Sequence, residues 1–152
     1  MTEIKTNPMI VDSREQCPLF TREQGAIIQK LDVGDYTILD LLGKFHIERK
    51  SPTDLYSSII QNHNRFRREI MRAKENNIKL IIMVECPENI FIGKQWGSIA
   101  RRLRASGKVL KKIVDTIQKK YDIEIVWCFD REDMRYRMMK IFERELEKLE
   151  GK

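Results

Sequence analysis

Apolar positions along the chain fall into short strand-like runs that alternate with helical stripes. Met9 to Val11 is an apolar run that opens into Asp12-Ser13-Arg14-Glu15, a strand with a polar end. Residues 16–33 are mixed, with Ile27 and Ile28 as a short strand. Tyr36 to Leu42 is rich in β-branched and apolar residues, Gly43-Lys44 makes a turn, and Phe45 to Arg49 follows as the hairpin partner. In Ser51-Pro52-Thr53-Asp54, Ser51 suits a helix N-cap, Pro52 the first helical position and Asp54 the positive end of the helix dipole. Helical signals continue through Ile59-Ile60 and, after a break near Asn62, through Phe66, Ile70 and Ala73, until Asn76-Asn77 stops them. Ile78 to Val84 is nearly all apolar, as expected of a strand buried on both faces. Residues 87–97, with Pro87, Gly93 and Gly97, read as a loop. Ile99, Leu103, Leu110, Ile113 and Ile117 recur at roughly helical spacing, with a break at Ser106-Gly107. Ile123 to Trp127 is a further buried strand, and Asp130 starts a last helix with Met134, Met138, Ile141, Phe142, Leu146 and Leu149 on one stripe. This alternation predicts one α/β domain over residues 1–152, with its core at about 8–146, a mixed central sheet and helices on both faces.

Alternation within Phe45 to Lys50 carries the candidate chemistry. Successive strand residues point to opposite faces, so Phe45, Ile47 and Arg49 share one face and His46, Glu48 and Lys50 the other. The hairpin returns Asp35, at the start of one strand, to the end of its partner, beside Glu48. Asp35, Glu48 and Lys50 would then converge at a strand end facing solvent. Carboxylates hold a hard cation such as Mg²⁺. Such a cation polarises a phosphoryl oxygen and lowers the pKa of bound water. A neighbouring amine orients that water or offsets charge developing at phosphorus. The spacing alone is also compatible with an ordinary exposed hairpin carrying a Glu/Lys pattern.

Composition narrows the class. Hydrophobic residues at 41% and charged residues at 34% describe a globular chain. No apolar run approaches the ~20 residues that span a bilayer, and Met1 to Met9 has no apolar signal-peptide core. A cytoplasmic or nuclear protein, neither secreted nor membrane-bound, is expected. Cys17, Cys86 and Cys128 lie far apart with no zinc-type spacing, and read as reduced thiols, the last two buried at strand ends. The 29 Lys and Arg against 23 Asp and Glu give a net charge of +6, compatible with a nucleic-acid partner.

Three segments occur in order: Val11-Asp12-Ser13-Arg14-Glu15, Val33-Gly34-Asp35-Tyr36, and Ile47-Glu48-Arg49-Lys50-Ser51-Pro52-Thr53-Asp54-Leu55. Together they closely resemble the nuclease domain of the XPF family, which includes the Hef nucleases. The hallmark of that family, G-D followed by E-R-K-x-x-x-D, stands intact as Gly34-Asp35 and Glu48-Arg49-Lys50 with Asp54. The resemblance implies a restriction-endonuclease-like, PD-(D/E)XK fold and Mg²⁺- or Mn²⁺-dependent cleavage of branched, flapped or forked DNA, in repair, recombination or fork processing. It implies metal ligands at Asp35 and Glu48, a further acid at the metal in Asp12, and a catalytic amine in Lys50. It implies that Arg49 and Asp54 support the site by tying the strand end to the helix, and that the nuclease domains pair as a homodimer. Family members often add a helix-hairpin-helix domain or a helicase; this chain shows neither, so a separate DNA-binding or helicase partner is expected to share the grip on substrate. A junction resolvase or restriction-type enzyme of the same broad fold is an alternative, as is a non-catalytic partner subunit, although the latter would be expected to have lost a motif residue.

Several side chains have two readings. Arg14 contacts a phosphate, or pairs with Glu15 or solvent. Arg65, Arg68 and Arg72 share one helix face, either as a phosphate-tracking stripe or as a solvated basic face. Arg101, Arg102 and Arg104 with Lys108, Lys111 and Lys112 form a second basic candidate. Asp54 has a sufficient explanation as a first-turn acid. His46 reads as a neighbour of the site and not a ligand, His63 as a loop residue, and Trp96 as packed under its loop or stacked on a base. Tyr136 and Met139 widen the apolar stripe of the last helix, where a symmetric interface could bury them.

Overall fold

The computed structural model describes residues 7–151, so residues 1–6 of the amino-terminal stretch lie outside the described residues. The strands are β1 (Met9–Asp12), β2 (Ile27–Gln29), β3 (Tyr36–Ile38), β4 (Phe45–Lys50), β5 (Lys79–Val84) and β6 (Glu124–Trp127). They form one sheet in the order β2-β1-β3-β4-β5-β6. β3 is antiparallel to both β1 and β4, whereas β1/β2, β4/β5 and β5/β6 pair in parallel. The helices are α1 (Pro52–Tyr56), continuing through a π-turn at Ser57–Gln61, then α2 (His63–Glu75), α3 (Glu88–Ile92), α4 (Gly107–Tyr121) and α5 (Arg131–Leu149). This is the mixed sheet with helices on both faces that the sequence predicts.

Two apolar clusters fill the layers. On one face Val11, Tyr36, Phe45, Ile47, Ile81 and Met83 meet Met134, Met138, Ile141, Phe142 and Leu146 of α5. On the other, Ile82, Val84 and Ile125 meet Leu55 of α1, Phe66 and Ile70 of α2, Phe91 of α3, and Leu110, Val114 and Ile117 of α4. That second face changes character halfway across the sheet. Under β5 and β6 it is aliphatic. On β1 and β4 the same face carries Asp12, His46, Glu48 and Lys50, all on the residues alternate to the first core. The helical layer packs on the aliphatic half, and Asp12 and Glu48 of the polar half stand in a cavity wall.

Caps set the helix starts. Ser51 accepts from the Asp54 N–H, Ser106 from Val109 and Asp130 from Asp133. Asn77, at φ 56°, closes the turn after α2. The structure departs from the sequence pattern in four places. β3 stops at Ile38, because the chain turns through Leu39–Leu41, where the Asp40 N–H donates to Asn7 Oδ1 and the Leu39 N–H to the Pro8 carbonyl. The expected loop at 87–97 contains α3, which exists to bury Phe91 against Trp96 and Trp127. Ile99 precedes a short 3-10 turn and is 66% exposed, so the helical stripe begins only at α4. Leu149, at the fraying end of α5, is 49% exposed and leaves the stripe. Cys86 and Cys128 are buried free thiols and Cys17 is exposed. Among the described residues no helix is long and apolar enough to cross a membrane.

Candidate active site

The β3–β4 hairpin builds the site. Gly34 precedes Asp35 at φ +69°, and a Cβ there would stand 3.1 Å from the Ile47 carbonyl oxygen and 3.2 Å from His46 Cβ. Only glycine combines that backbone with so close an approach. The crossing is fixed from both sides: the Asp35 N–H donates to the Ile47 carbonyl, and the Asp35 carbonyl accepts from the Asp12 N–H, each at 2.8 Å. His46 fastens the same loop. Its Nε2 accepts from the Gly43 N–H at 2.9 Å, which leaves Nδ1 to donate to the Val33 carbonyl at 2.7 Å. The ring is buried, and burial lowers its pKa, in keeping with a neutral structural histidine.

A cavity of about 470 Å³ opens against this hairpin. Asp12, Asp35 and Glu48 stand in its wall with Arg14, and α2 supplies Arg65, Phe66, Arg68, Glu69 and Arg72. Asp35 Oδ2 accepts the Arg49 N–H at 2.8 Å. Burial, then the charge of Glu48, raise the Asp35 carboxyl to about 8. Glu48 is raised too, by burial first, with Lys50 opposing and the nearby charges of Glu69 and Glu15 adding to the shift. Lys50 Nζ lies 3.4 Å from Glu48 Oε2 and 5.4 Å from the centre of the Phe66 ring. Contrary to the solvent-facing strand end expected from sequence, Lys50 is buried at 7% exposure, because α2 folds over the end of β4.

The remaining motif residues are placed differently. Asp12 is buried and bonded to Arg14 and to the Leu31 N–H. Arg14 thus pairs with Asp12, not Glu15. Arg49 points to the opposite face of β4, where its guanidinium lies 3.3 Å from Glu15 and 3.6 Å from Glu85. It ties β4 to the segment after β1 and to the end of β5, whereas the expected tie was to the helix. Asp54 is exposed in the first turn of α1, outside the cavity wall, and its N–H donates to Ser51 Oγ. His63 opens α2 and approaches the Tyr121 hydroxyl at 3.3 Å. Trp96 donates to the Phe91 carbonyl and stacks on its ring, packed under its loop. In the second basic group, Arg101, Arg102, Arg104 and Lys108 are exposed, and Lys111 is held by Glu88 and Asp115.

Glu69 and Glu15 were not singled out from sequence. Glu69 is an acid on a basic helix, beside the buried stripe of Phe66, Ile70 and Ala73, and that position is the signal that could have found it. Glu15 accepts from the Tyr36 hydroxyl at 2.6 Å as well as from Arg49, a role set by a tertiary contact that no local pattern announces.

Among the described residues, no three His, Cys, Asp or Glu side chains stand together as a ready-made metal cage. The donor chemistry nonetheless suits a hard divalent cation: Asp35 and Glu48 are half-buried carboxylates, each pushed up by desolvation and by neighbouring negative charge.

The ERCC4 domain matches residues 11–135. The chain belongs to the ERCC4 domain family. This agrees with the XPF-type nuclease motifs read from the sequence, and the match spans every one of them. Two solved structures share the ERCC4 domain's fold here. XPF from Aeropyrum pernix has a TM-score of 0.67 and 21% identity, covering 95% of this chain and 67% of that one. XPF from Aeropyrum pernix in complex with DNA has a TM-score of 0.64 and 22% identity, covering 93% of this chain and 66% of that one. The chain therefore spans about two thirds of the length of those structures, and likeness at this identity speaks for the fold. No curated protein matches the sequence.

Proposed function

We propose that this ERCC4 domain is a divalent-metal-dependent endonuclease that hydrolyses phosphodiester bonds in branched, flapped or forked DNA. The observation that carries the reading is the meeting of Asp35, Glu48 and Lys50 beside one cavity rimmed by Arg14, Arg65, Arg68 and Arg72. Asp35 and Glu48 would hold Mg²⁺ or Mn²⁺, with Asp12 as a further ligand. The bound cation would supply Lewis-acid polarisation of the phosphoryl oxygen and a more acidic water. The arginines draw the phosphate backbone to the cavity and fix its register. Lys50, packed against Phe66 beside Glu48, would offset charge developing at the phosphate in a partly dry site, where such an interaction is strong. Arg49 does not reach the cavity through its guanidinium; it positions Asp35 through its N–H. A relative solved with DNA supports DNA as the ligand.

The test is cleavage of a panel of forks, flaps, four-way junctions and plain duplex with Mg²⁺, Mn²⁺, Ca²⁺ or excess chelator. Cutting should need Mg²⁺ or Mn²⁺ and should favour branched substrates. Ca²⁺ should bind without turnover. Full activity in chelator would reject the metal role, and exclusive cutting of four-way junctions or plain duplex would favour the resolvase or restriction-type reading.

The arginine face of α2 gives a separate prediction. Arg65, Arg68 and Arg72 are exposed, and among the described residues only Arg65 of the three has an acidic partner, Glu69 at 3.6 Å. Reversing Arg65 and Arg68 to Glu should weaken DNA binding about tenfold or more at low salt, evenly across substrates, and should flatten the salt dependence. Unchanged affinity in a salt titration would make this helix only a solvated face.

A homodimer is also part of the proposal. Tyr136 on α5 is 53% exposed and Phe129 before it is 75% exposed, whereas Met139 is partly covered by the first core. A symmetric contact on α5 would bury the exposed pair, and a second subunit would add grip on a branched substrate. Light scattering should give twice 18.1 kDa, and Tyr136→Glu should lower it. A monomeric wild type would reject the dimer, and a dimer untouched by Tyr136→Glu would move the interface off this part of α5.

A further inference from the structure

Three of the carboxylates in the cavity wall are treated unequally. Asp35 takes one N–H, from Arg49, and Glu48 has the Lys50 ammonium at 3.4 Å. Asp12 is engaged at both oxygens. Its Oδ2 accepts from Arg14 Nε at 2.9 Å, and its Oδ1 accepts from the Leu31 N–H at 2.8 Å and from Arg14 Nη2 at 3.3 Å. Arg14 Nη2 also donates to the Leu31 carbonyl at 2.6 Å. The Asp12 side chain is 4% exposed and that of Arg14 is 63% exposed, so the guanidinium lies over the carboxylate with its outer flank in solvent.

We propose that Arg14 is an exchangeable cap on Asp12: on DNA binding its guanidinium leaves the carboxylate for a backbone phosphate, and Asp12 is freed to join Asp35 and Glu48 in holding the divalent cation. The inference rests on the nuclease reading of this cavity. A carboxylate that already accepts from a guanidinium and a backbone N–H has its charge offset and most of its lone-pair positions engaged, and is a weaker ligand until the guanidinium moves. A phosphodiester presents the same two-oxygen edge to the arginine fork as a carboxylate does. Exchanging one for the other therefore loses little, and ion pairs with one well-exposed member are weak to begin with. Arg65, Arg68 and Arg72 in the same wall bring the phosphate to the place where the exchange occurs. The Leu31 N–H continues to hold Asp12 Oδ1, so the freed carboxylate stays in the cavity wall with Oδ2 released. The free protein would then hold the cation through Asp35 and Glu48 only, and the complete set would form when substrate is present.

The opposing possibility is a permanent clip that fastens the end of β1 to the segment around Leu31. The two differ in cation affinity without DNA. Mn²⁺ is titrated calorimetrically into DNA-free wild type, Arg14→Gln, Arg14→Lys, Asp12→Asn, Arg14→Gln/Asp12→Asn and Asp35→Asn. Arg14→Gln should bind Mn²⁺ about tenfold more tightly than wild type, a change of the size that neighbouring groups give at metal sites. The gain should vanish in the double variant, and Arg14→Gln should bind duplex DNA in Ca²⁺ less well. Arg14→Lys, which keeps the charge but not the fork, should show a smaller gain and serves if Arg14→Gln fails to fold. Mn²⁺ affinity unchanged in Arg14→Gln and Arg14→Lys, or a gain that persists in the double variant, overturns the proposal. Failure of the nuclease reading looks different: Asp35→Asn would then leave Mn²⁺ binding unchanged.

Discussion

Replacing Lys50 should lower the cleavage rate about 10²–10³-fold or more, the usual loss when a group that stabilises developing charge is removed. The structure adds a second route to that loss. Lys50 is the cation that opposes the upward shift of Glu48, whose largest cause is burial. Without the ammonium, Glu48 shifts further toward its protonated form and becomes a poorer ligand. Because Lys50 is buried against Phe66, Lys50→Ala also opens a cavity, and some stability would go with it. Lys50→Met, which keeps the volume, is the cleaner variant. Single-turnover cleavage should be lost in both, with a native circular dichroism spectrum retained at least in Lys50→Met and duplex binding in Ca²⁺ changed little. Near-normal turnover in folded Lys50→Met would place the chemistry elsewhere.

The parts of the site that sequence made legible are those governed by local periodicity. The alternation of Phe45, Ile47 and Arg49 against His46, Glu48 and Lys50 follows from strand geometry alone, and the structure keeps it. The approach of Asp35 to Glu48 follows from a short hairpin, and Gly34 marks where the backbones press together. What escaped depends on contacts between distant segments. Burial of Lys50 is decided by Phe66 on α2, the partners of Arg49 by Glu15 and Glu85, and the engagement of Asp12 by Arg14 together with Leu31. α3 escaped for another reason: a five-residue helix is too short to show a period, and its Pro87 and Gly93 ends carry the same signals as a loop.

Asp35→Asn should abolish cleavage and, without metal, make the fold more stable. The loss of activity follows from removing a charged ligand: transition-state stabilisation by several kcal/mol corresponds to about 10³-fold or more in rate. The gain in stability follows from burial. The Asp35 carboxyl rises from 3.8 to about 8, first because it is desolvated and next because Glu48 is near. A carboxyl with a raised pKa binds its proton more tightly folded than unfolded, so stability falls as pH climbs through this window and the full penalty is reached above about 8. Asparagine is neutral at every pH and still accepts the Arg49 N–H through its Oδ1. A gain of about 1 kcal/mol would raise the melting midpoint about 2–4 °C at this chain length. Thermal melts in chelator should therefore show Asp35→Asn above wild type, by a margin that widens with pH across the window. Adding Mn²⁺ should raise the wild-type midpoint, because a cation relieves the repulsion between Asp35 and Glu48, and should raise that of Asp35→Asn much less. The idea fails if the variant is less stable than wild type at every pH in chelator, or if Mn²⁺ stabilises both proteins equally. The first outcome would mean that Asp35 is held as a stabilising hydrogen-bond acceptor; the second, that the cation binds away from Asp35.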